Sequence, residues 1–198
     1  MERERVWKAI DEQRRSLVDL LEDLSEQEWR QPSLCAGWTV RDVAAHVALQ
    51  NVTWSALPKL LVNVARSGGM NRAIADAARD HAALPVETII AEIRDRIGVW
   101  KPLPTVSHLE TAIDYVVHTQ DIAVPLGRQV DPPADAVLAA AERVWASPRM
   151  FHARRKLAGR RLVATDAQWS AGEGEEISGP MVALLLVMTG RSPRKLEL

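Results

Sequence analysis

Two histidines and one aspartate have the types and spacing that most suggest chemistry in this chain. His46 lies in the second turn of a predicted helix that begins near Val40. Far downstream, Asp114 and His118 are four residues apart on another predicted helix, so their side chains project from one face, one turn apart. If the two helices are neighbours, the three side chains could chelate one metal ion, as in bundle sites built from facing helices. Three protein ligands would leave a coordination position free, as catalytic metal sites require.

Taken alone, His46 is compatible with a plainer interpretation. It borders the apolar stripe of its helix, where a partly buried histidine hydrogen-bonded to a neighbour is common. Thr39 and Asp42 have the spacing of a capping box that starts this helix after a turn at Gly37. Asp42 could also hydrogen-bond His46 one turn later, so its role stays open between capping and orienting the histidine.

Three further side chains are candidates for supporting roles around the histidines. Asp121 follows His118 at helical spacing and either orients it or forms a surface ion pair. Trp38 and Trp54 are near enough to His46 in sequence to line a pocket beside it. We therefore expect these residues to surround any site that the histidines form.

The same segments carry a resemblance that extends over nearly the whole chain. Residues 37–46, residues 114–121 and the C-terminal stretch 164–191, which ends in Thr189-Gly190-Arg191, resemble the mycothiol-dependent maleylpyruvate isomerase family. The resemblance implies a DinB-like four-helix bundle that holds a divalent metal through one histidine and an acid-x-x-x-histidine pair. Those positions are His46, Asp114 and His118 here. The family more often has glutamate at the acid position, so Glu110 is the alternative third ligand.

The resemblance also implies mycothiol as a thiol co-substrate. Zinc suits a set of two imidazoles and one carboxylate, and nickel or iron(II) also fit it. A thiol entering the free position would lose its proton beside the dication and could attack a small electrophilic substrate. The expected outcome is thiol transfer or a cis–trans isomerisation through reversible addition. Two alternatives stay open: a DinB-like bundle acting as a non-catalytic binding or regulatory module, and a metal-dependent hydrolase.

Composition limits the remaining classes of function. The 198 residues are 47% hydrophobic, enough for one core, and 25 basic residues nearly balance 26 acidic ones. This balance gives no drive toward nucleic acid or an anionic membrane, so small-molecule partners are expected. The single cysteine, Cys35, cannot form an intramolecular disulfide and is interpreted as a small packed apolar residue. The first residues lack the apolar core of a signal peptide, so we expect a cytoplasmic protein, with homodimerisation left open.

Hydrophobic periodicity predicts a mainly α fold, with a metal-binding bundle over residues 1–130 and a small α/β region over residues 131–198 packed on it. The bundle helices are predicted at about residues 3–24, 40–66, 85–100 and 106–124, with Pro58 breaking the second. A helix at 133–145, strands at 160–165, 168–171 and 175–178, and a helix at 180–189 complete the prediction. Gly172 and Gly174 are expected to form a hairpin turn, and the last helix is too short to cross a bilayer.

Overall fold

The computed structural model describes residues 2–50, 64–102, 106–148 and 150–192. Its helices are α1 (Arg3–Glu22), α2 (Glu26–Trp29), α3 (Val40–Ala48), α4 (Met70–His81), α5 (Val86–Arg94), α6 (His108–Ala123), α7 (Ala134–Ala146), α8 (Ala153–Lys156) and α9 (Met181–Met188). Its strands are β1 (Arg160–Ala164), β2 (Ser170–Gly172) and β3 (Glu175–Gly179).

Four helices, α1, α3, α5 and α6, form a closed bundle. α1 contacts α5 and α6, and α3 contacts the same two helices from the other side. Each helix turns an apolar stripe inward, with side chains such as Ile10, Val43, Ile89 and Ile122 almost fully buried. The predicted class, a mainly α fold with a four-helix bundle and a small C-terminal α/β region, is confirmed.

Two helices end earlier than their apolar periodicity predicts. α3 ends at Ala48, residues 64–67 are helical, and the expected break at Pro58 lies outside the described residues. α5 ends at Arg94 rather than near Trp100, because the chain turns at Gly98, whose φ of +81° is in the left-handed region. Apolar spacing continues across both ends, so it does not reveal where the hydrogen-bonded helix stops.

The C-terminal sheet has the strand order β2-β1-β3. β1 is antiparallel to β2 and parallel to β3, so the hairpin expected between β2 and β3 is wrong. The connection instead crosses the start of β1 at close range. A Cβ atom on Gly172 would overlap the carbonyl oxygen of Arg160, and one on Gly174 would overlap that of Gly159. The glycines therefore allow a close backbone crossing.

A second apolar core attaches the C-terminal region to the bundle. It joins side chains of α6, including Val116 and Val117, to those of α7, β1 and α9. Asp166 accepts a hydrogen bond from the backbone N–H of Met181 (2.8 Å) and so fixes the start of α9. The division at residues 1–130 and 131–198 stays a prediction. No described helix is both long and apolar enough to span a membrane.

A buried ion pair ties α1 to the turn that follows α5. Arg14, whose side chain is fully buried, donates from Nη1 to Asp11 Oδ1 (2.9 Å) and to the carbonyl oxygens of Arg96 (2.6 Å) and Val99 (3.2 Å). Trp100 Nε1 donates to the second oxygen of Asp11 (2.7 Å). The carbonyl groups of Arg96 and Val99 follow the observed end of α5, and the bonds from Arg14 satisfy them. Side chains of α1 therefore hold the chain where α5 ends.

We predict that Arg14→Met lowers the free energy of unfolding by about 3 kcal/mol, because it leaves Asp11 buried without an opposite charge. Urea denaturation followed by circular dichroism measures the change. The double variant Asp11→Asn/Arg14→Met should lose less than the single variant. Glu4→Gln, which breaks an exposed pair with Lys8, is the control and should change nothing measurable. An Arg14→Met protein as stable as the Glu4→Gln protein would show that the buried pair of Arg14 and Asp11 does not stabilise the fold.

Candidate metal centre

A capping box and a glycine turn place His46 on α3. Gly37 has φ +77°, and the chain then enters the helix through Thr39. The Asp42 N–H donates to Thr39 Oγ1 (3.2 Å), and the Thr39 N–H donates to Asp42 Oδ2 (2.8 Å). Among the described residues no hydrogen bond joins Asp42 to His46. The contacts of Asp42 are therefore those of a helix cap, and they fix where the turn that carries His46 begins.

A second capping box starts α6 and occupies Glu110. Its carboxylate accepts from the backbone N–H (2.8 Å) and hydroxyl of Ser107, and it pairs with Arg143. The hydroxyl of Ser107 accepts in return from the Leu109 N–H (3.2 Å). The contacts of Glu110 are thus with Ser107 and Arg143, and it is not among the described residues grouped with the histidines. Asp114, one turn later, is the acid that the structure brings to His118.

The three side chains singled out in the sequence meet between α3 and α6. Ligand atoms of His46, Asp114 and His118 all lie within 4.8 Å of one another. His118 Nε2 is 3.9 Å from Asp114 Oδ1, and the two imidazole centroids are 4.9 Å apart. Trp38 contacts His46 edge-on, with ring centroids 5.5 Å apart, so it walls one side of the group. Trp54, the other predicted pocket residue, lies outside the described residues.

Asp121 determines which nitrogen of His118 faces the group. His118 Nδ1 donates to Asp121 Oδ2 (2.9 Å), so the other nitrogen, Nε2, is the one that faces Asp114. Asp121 is fully buried, which by itself raises its pKa, but the bonds from His118 and Arg191 outweigh burial and lower that pKa below its ordinary value. Asp121 is therefore an ionised acceptor that fixes the orientation of His118 and retains the proton on its Nδ1.

Two residues that the sequence analysis did not assign to the site complete the shell around Asp121. Arg191 donates through Nε to Asp121 Oδ1 (3.1 Å) and through Nη2 to Oδ2 (2.9 Å), a bidentate pair. Cys35 Sγ donates to Asp121 Oδ2 (3.1 Å) and lies 3.9 Å from His118 Nδ1. The loop carrying Cys35 is anchored where the Leu34 N–H donates to the carbonyl of Asp121 (3.0 Å). The one sequence signal for Arg191 was its place in the resembling C-terminal segment.

The two histidines differ in charge. Burial, followed by the positive charge of His118, lowers the pKa of His46 to about 3, so its imidazole is neutral. Burial also acts to lower the pKa of His118, but hydrogen bonds to Asp121 and Cys35, with the negative charges of Asp121 and Asp114, raise it to about 10. His118 thus carries a proton that a bound cation would have to replace.

The donor set of His46, Asp114 and His118 fits a divalent metal. It offers a neutral imidazole, a second imidazole oriented by a carboxylate, and a carboxylate, which is a combination that zinc accepts. A second group of potential ligands, Cys35, His118 and Asp121, also lies within 4.8 Å. There the guanidinium of Arg191 is 3.5 Å from Cys35 Sγ and already occupies both oxygens of Asp121, so a cation would be repelled. The first group is the candidate metal centre.

Comparisons with known proteins bear on the family and the fold of the chain. Residues 10–100 match the family model of the mycothiol maleylpyruvate isomerase N-terminal domain. No curated protein matches the chain. Among solved structures, the crystal structure of the mycothiol-dependent maleylpyruvate isomerase has a TM-score of 0.66 at 13% identity and covers 98% of this chain and 91% of that chain. A mutant of that isomerase gives the same TM-score and identity, with 100% and 95% covered.

At this level of identity the structural match establishes the fold, and it confirms the predicted DinB-like bundle with its C-terminal region. The family match covers α3 and its His46, whereas α6 with Asp114 and His118 lies beyond the matched residues. Residues 10–100 match the N-terminal domain of mycothiol maleylpyruvate isomerase, which supports the family resemblance seen in the sequence, and the chain as a whole has the fold of that isomerase.

Proposed function

We propose that this protein is a metal-dependent enzyme that uses a thiol co-substrate, mycothiol, to isomerise a small electrophilic substrate of the maleylpyruvate type or to transfer the thiol to it. The observation that carries the proposal is the grouping of His46, Asp114 and His118 within 4.8 Å between two bundle helices. The family model that residues 10–100 match supports the choice of thiol and substrate. A cytoplasmic location is part of the same proposal.

In this proposal His46, Asp114 and His118 would hold the ion, with zinc preferred and nickel or iron(II) as alternatives. When bound, the dication supplies a positive charge that lowers the pKa of an incoming thiol and favours its thiolate. Asp121 holds His118 with Nε2 facing Asp114, on the side where the ion would bind, and Arg191 holds Asp121 in turn. These residues therefore fix the geometry in advance.

A cis–trans isomerisation can proceed by addition and elimination of the thiolate, with no further reagent. The thiolate sulfur adds to one carbon of a cis double bond conjugated to a carbonyl, and the π electrons move to the carbonyl oxygen. Rotation about the new single bond follows. The enolate electrons then re-form the double bond as trans, the C–S bond breaks, and the sulfur leaves as the same thiolate that entered. No oxidant, reductant or separate general base is required, since the thiol enters the cycle as thiolate.

The alternatives differ in what they require of the same centre. A hydrolase would need a water in the free position and no thiol, and a binding module would need no metal. The described residues keep two imidazoles and a carboxylate together at one point, with a buried carboxylate orienting one imidazole. This arrangement favours a metal-dependent enzyme over a bundle that has lost its chemistry.

We expect the protein, purified without a metal-affinity tag, to contain about one equivalent of metal per chain, and we expect His46→Ala and His118→Ala to lose it, because two remaining ligands do not hold zinc firmly. Elemental mass spectrometry provides the measurement. His152→Ala is the matched control, since that imidazole contacts the carbonyl of Pro148 away from the centre. Wild-type protein that takes up no zinc, nickel or iron(II) would contradict the metal centre.

We expect conversion of maleylpyruvate to its trans isomer only when mycothiol is present, because the thiol is the nucleophile. Separation of substrate and product by liquid chromatography distinguishes isomerisation, thiol adduct formation and hydrolysis. His118→Ala should be inactive under the same conditions. Equal turnover with and without mycothiol would favour the hydrolase, and a metal-loaded protein inert toward electrophiles with mycothiol would favour the binding module.

We expect Asp121→Asn to weaken zinc binding by about 10–100-fold, since it removes the charge that orients His118. Competition with a chromogenic chelator measures the affinity. Asp42→Asn serves as the comparison, because Asp42 caps α3 and should affect stability without changing zinc affinity. Equal zinc affinities for the wild-type and Asp121→Asn proteins would rule out the orienting role of Asp121.

A further inference from the structure

Gln50 extends the line of His46 by one helical turn. α3 ends at Ala48, but the Gln50 N–H still bonds to the carbonyl of Val47 (3.2 Å), so the chain continues to turn. The residue is only 6% exposed. Its Nε2 donates to Asp114 Oδ2 (3.1 Å). Packing alone does not require an amide here, because an apolar side chain would fill the same space. The hydrogen bond to a candidate metal ligand therefore gives the amide a specific role.

Two pairs of residues, each four apart, face each other across the bundle. His46 and Gln50 lie on α3 and its continuation, and Asp114 and His118 lie on α6. His46 is opposite His118, with ring centroids 4.9 Å apart, and Gln50 is opposite Asp114. The centre therefore has four corners. Three of them carry metal-binding groups and the fourth carries a neutral amide.

The amide of Gln50 gives the two carboxylate oxygens of Asp114 different contacts. Oδ2 of Asp114 accepts from Gln50, and Oδ1 is the oxygen 3.9 Å from His118 Nε2. Aspartate is one methylene shorter than glutamate, so its reach from α6 depends closely on how its carboxylate is rotated. The side chain of Asp114 is 39% exposed, and packing alone does not lock it. The bond from Gln50 supplies that constraint.

We propose that Gln50 is a positioning residue that holds Asp114 with one oxygen free for the ion and, by being neutral, keeps the centre receptive to an anionic thiol. A dication with Asp114 as its one bound carboxylate retains a positive charge, which a thiolate can neutralise. A carboxylate at position 50 would supply that second negative charge itself. This inference rests on the proposed function and names the residue that tunes its selectivity for thiolate.

The test compares Gln50→Met, which keeps the length but removes the donor, with Gln50→Glu, which adds a charge. We expect Gln50→Met to bind zinc about 10–100-fold more weakly in a chelator competition. We expect Gln50→Glu to bind zinc more tightly than wild type but to need more mycothiol for saturation. A structural defect would weaken the binding of both zinc and mycothiol, so tighter zinc binding together with weaker mycothiol binding identifies the effect of the charge.

Gln13→Met is the matched control, since Gln13 is also a buried amide of the bundle but bonds to the hydroxyl of Thr119 (2.9 Å). Its zinc affinity should equal that of the wild type. Melting of the metal-free proteins, followed by circular dichroism, identifies any variant that fails to fold, and Gln50→Glu then tests the charge argument independently. Wild-type zinc and mycothiol affinities in both Gln50 variants overturn the inference and leave the metal centre standing, whereas a wild-type protein without zinc affinity overturns both.

Discussion

The carboxylate of Asp121 is the point on which the site depends. It is fully buried on α6 and accepts from His118, Arg191 and Cys35, three residues from three parts of the chain. A buried carboxylate is costly unless it is paired, and here the bidentate guanidinium of Arg191 supplies the charge. One ionised group therefore orients the imidazole, seats the loop before α3 and holds the chain that follows α9.

The site also depends on the alignment of α3 with α6 along their axes. Because each helix repeats a side-chain direction every four residues, one correct alignment brings both pairs into contact, His46 with His118 and Gln50 with Asp114. The two capping boxes, at Thr39 and at Ser107, fix where each helix begins and hence which residues face inward. Local hydrogen bonds at the helix starts thus help to set the geometry of a site that lies about two to three turns away.

The C-terminal region has a structural role at this centre as well as its own core. α9 packs on α7, and the turn at Gly190, with φ +90°, redirects the chain so that Arg191 reaches Asp121. The N-terminal domain match ends at residue 100, before α6. The centre therefore combines His46, which lies within the matched residues, with Asp114 and His118, which lie after them. The fold similarity to the solved isomerase, in contrast, covers 98% of the chain and so includes the C-terminal part.

The sequence by itself determined the helical bundle, the cap at Thr39 and the one-turn spacing of Asp114 and His118, because periodicity and short spacings are local properties. Whether His46 meets that pair depended on the two helices being neighbours, which the tertiary structure decided. The sequence did not determine the ends of α3 and α5, since apolar spacing runs past both, nor the order of β2, β1 and β3, where Gly172 and Gly174 indicated a hairpin. Only the tertiary structure brought Gln50, Cys35 and Arg191 to the site. Their contacts join residues 64 to 156 positions apart, and no local pattern records which distant polar groups a fold will pair.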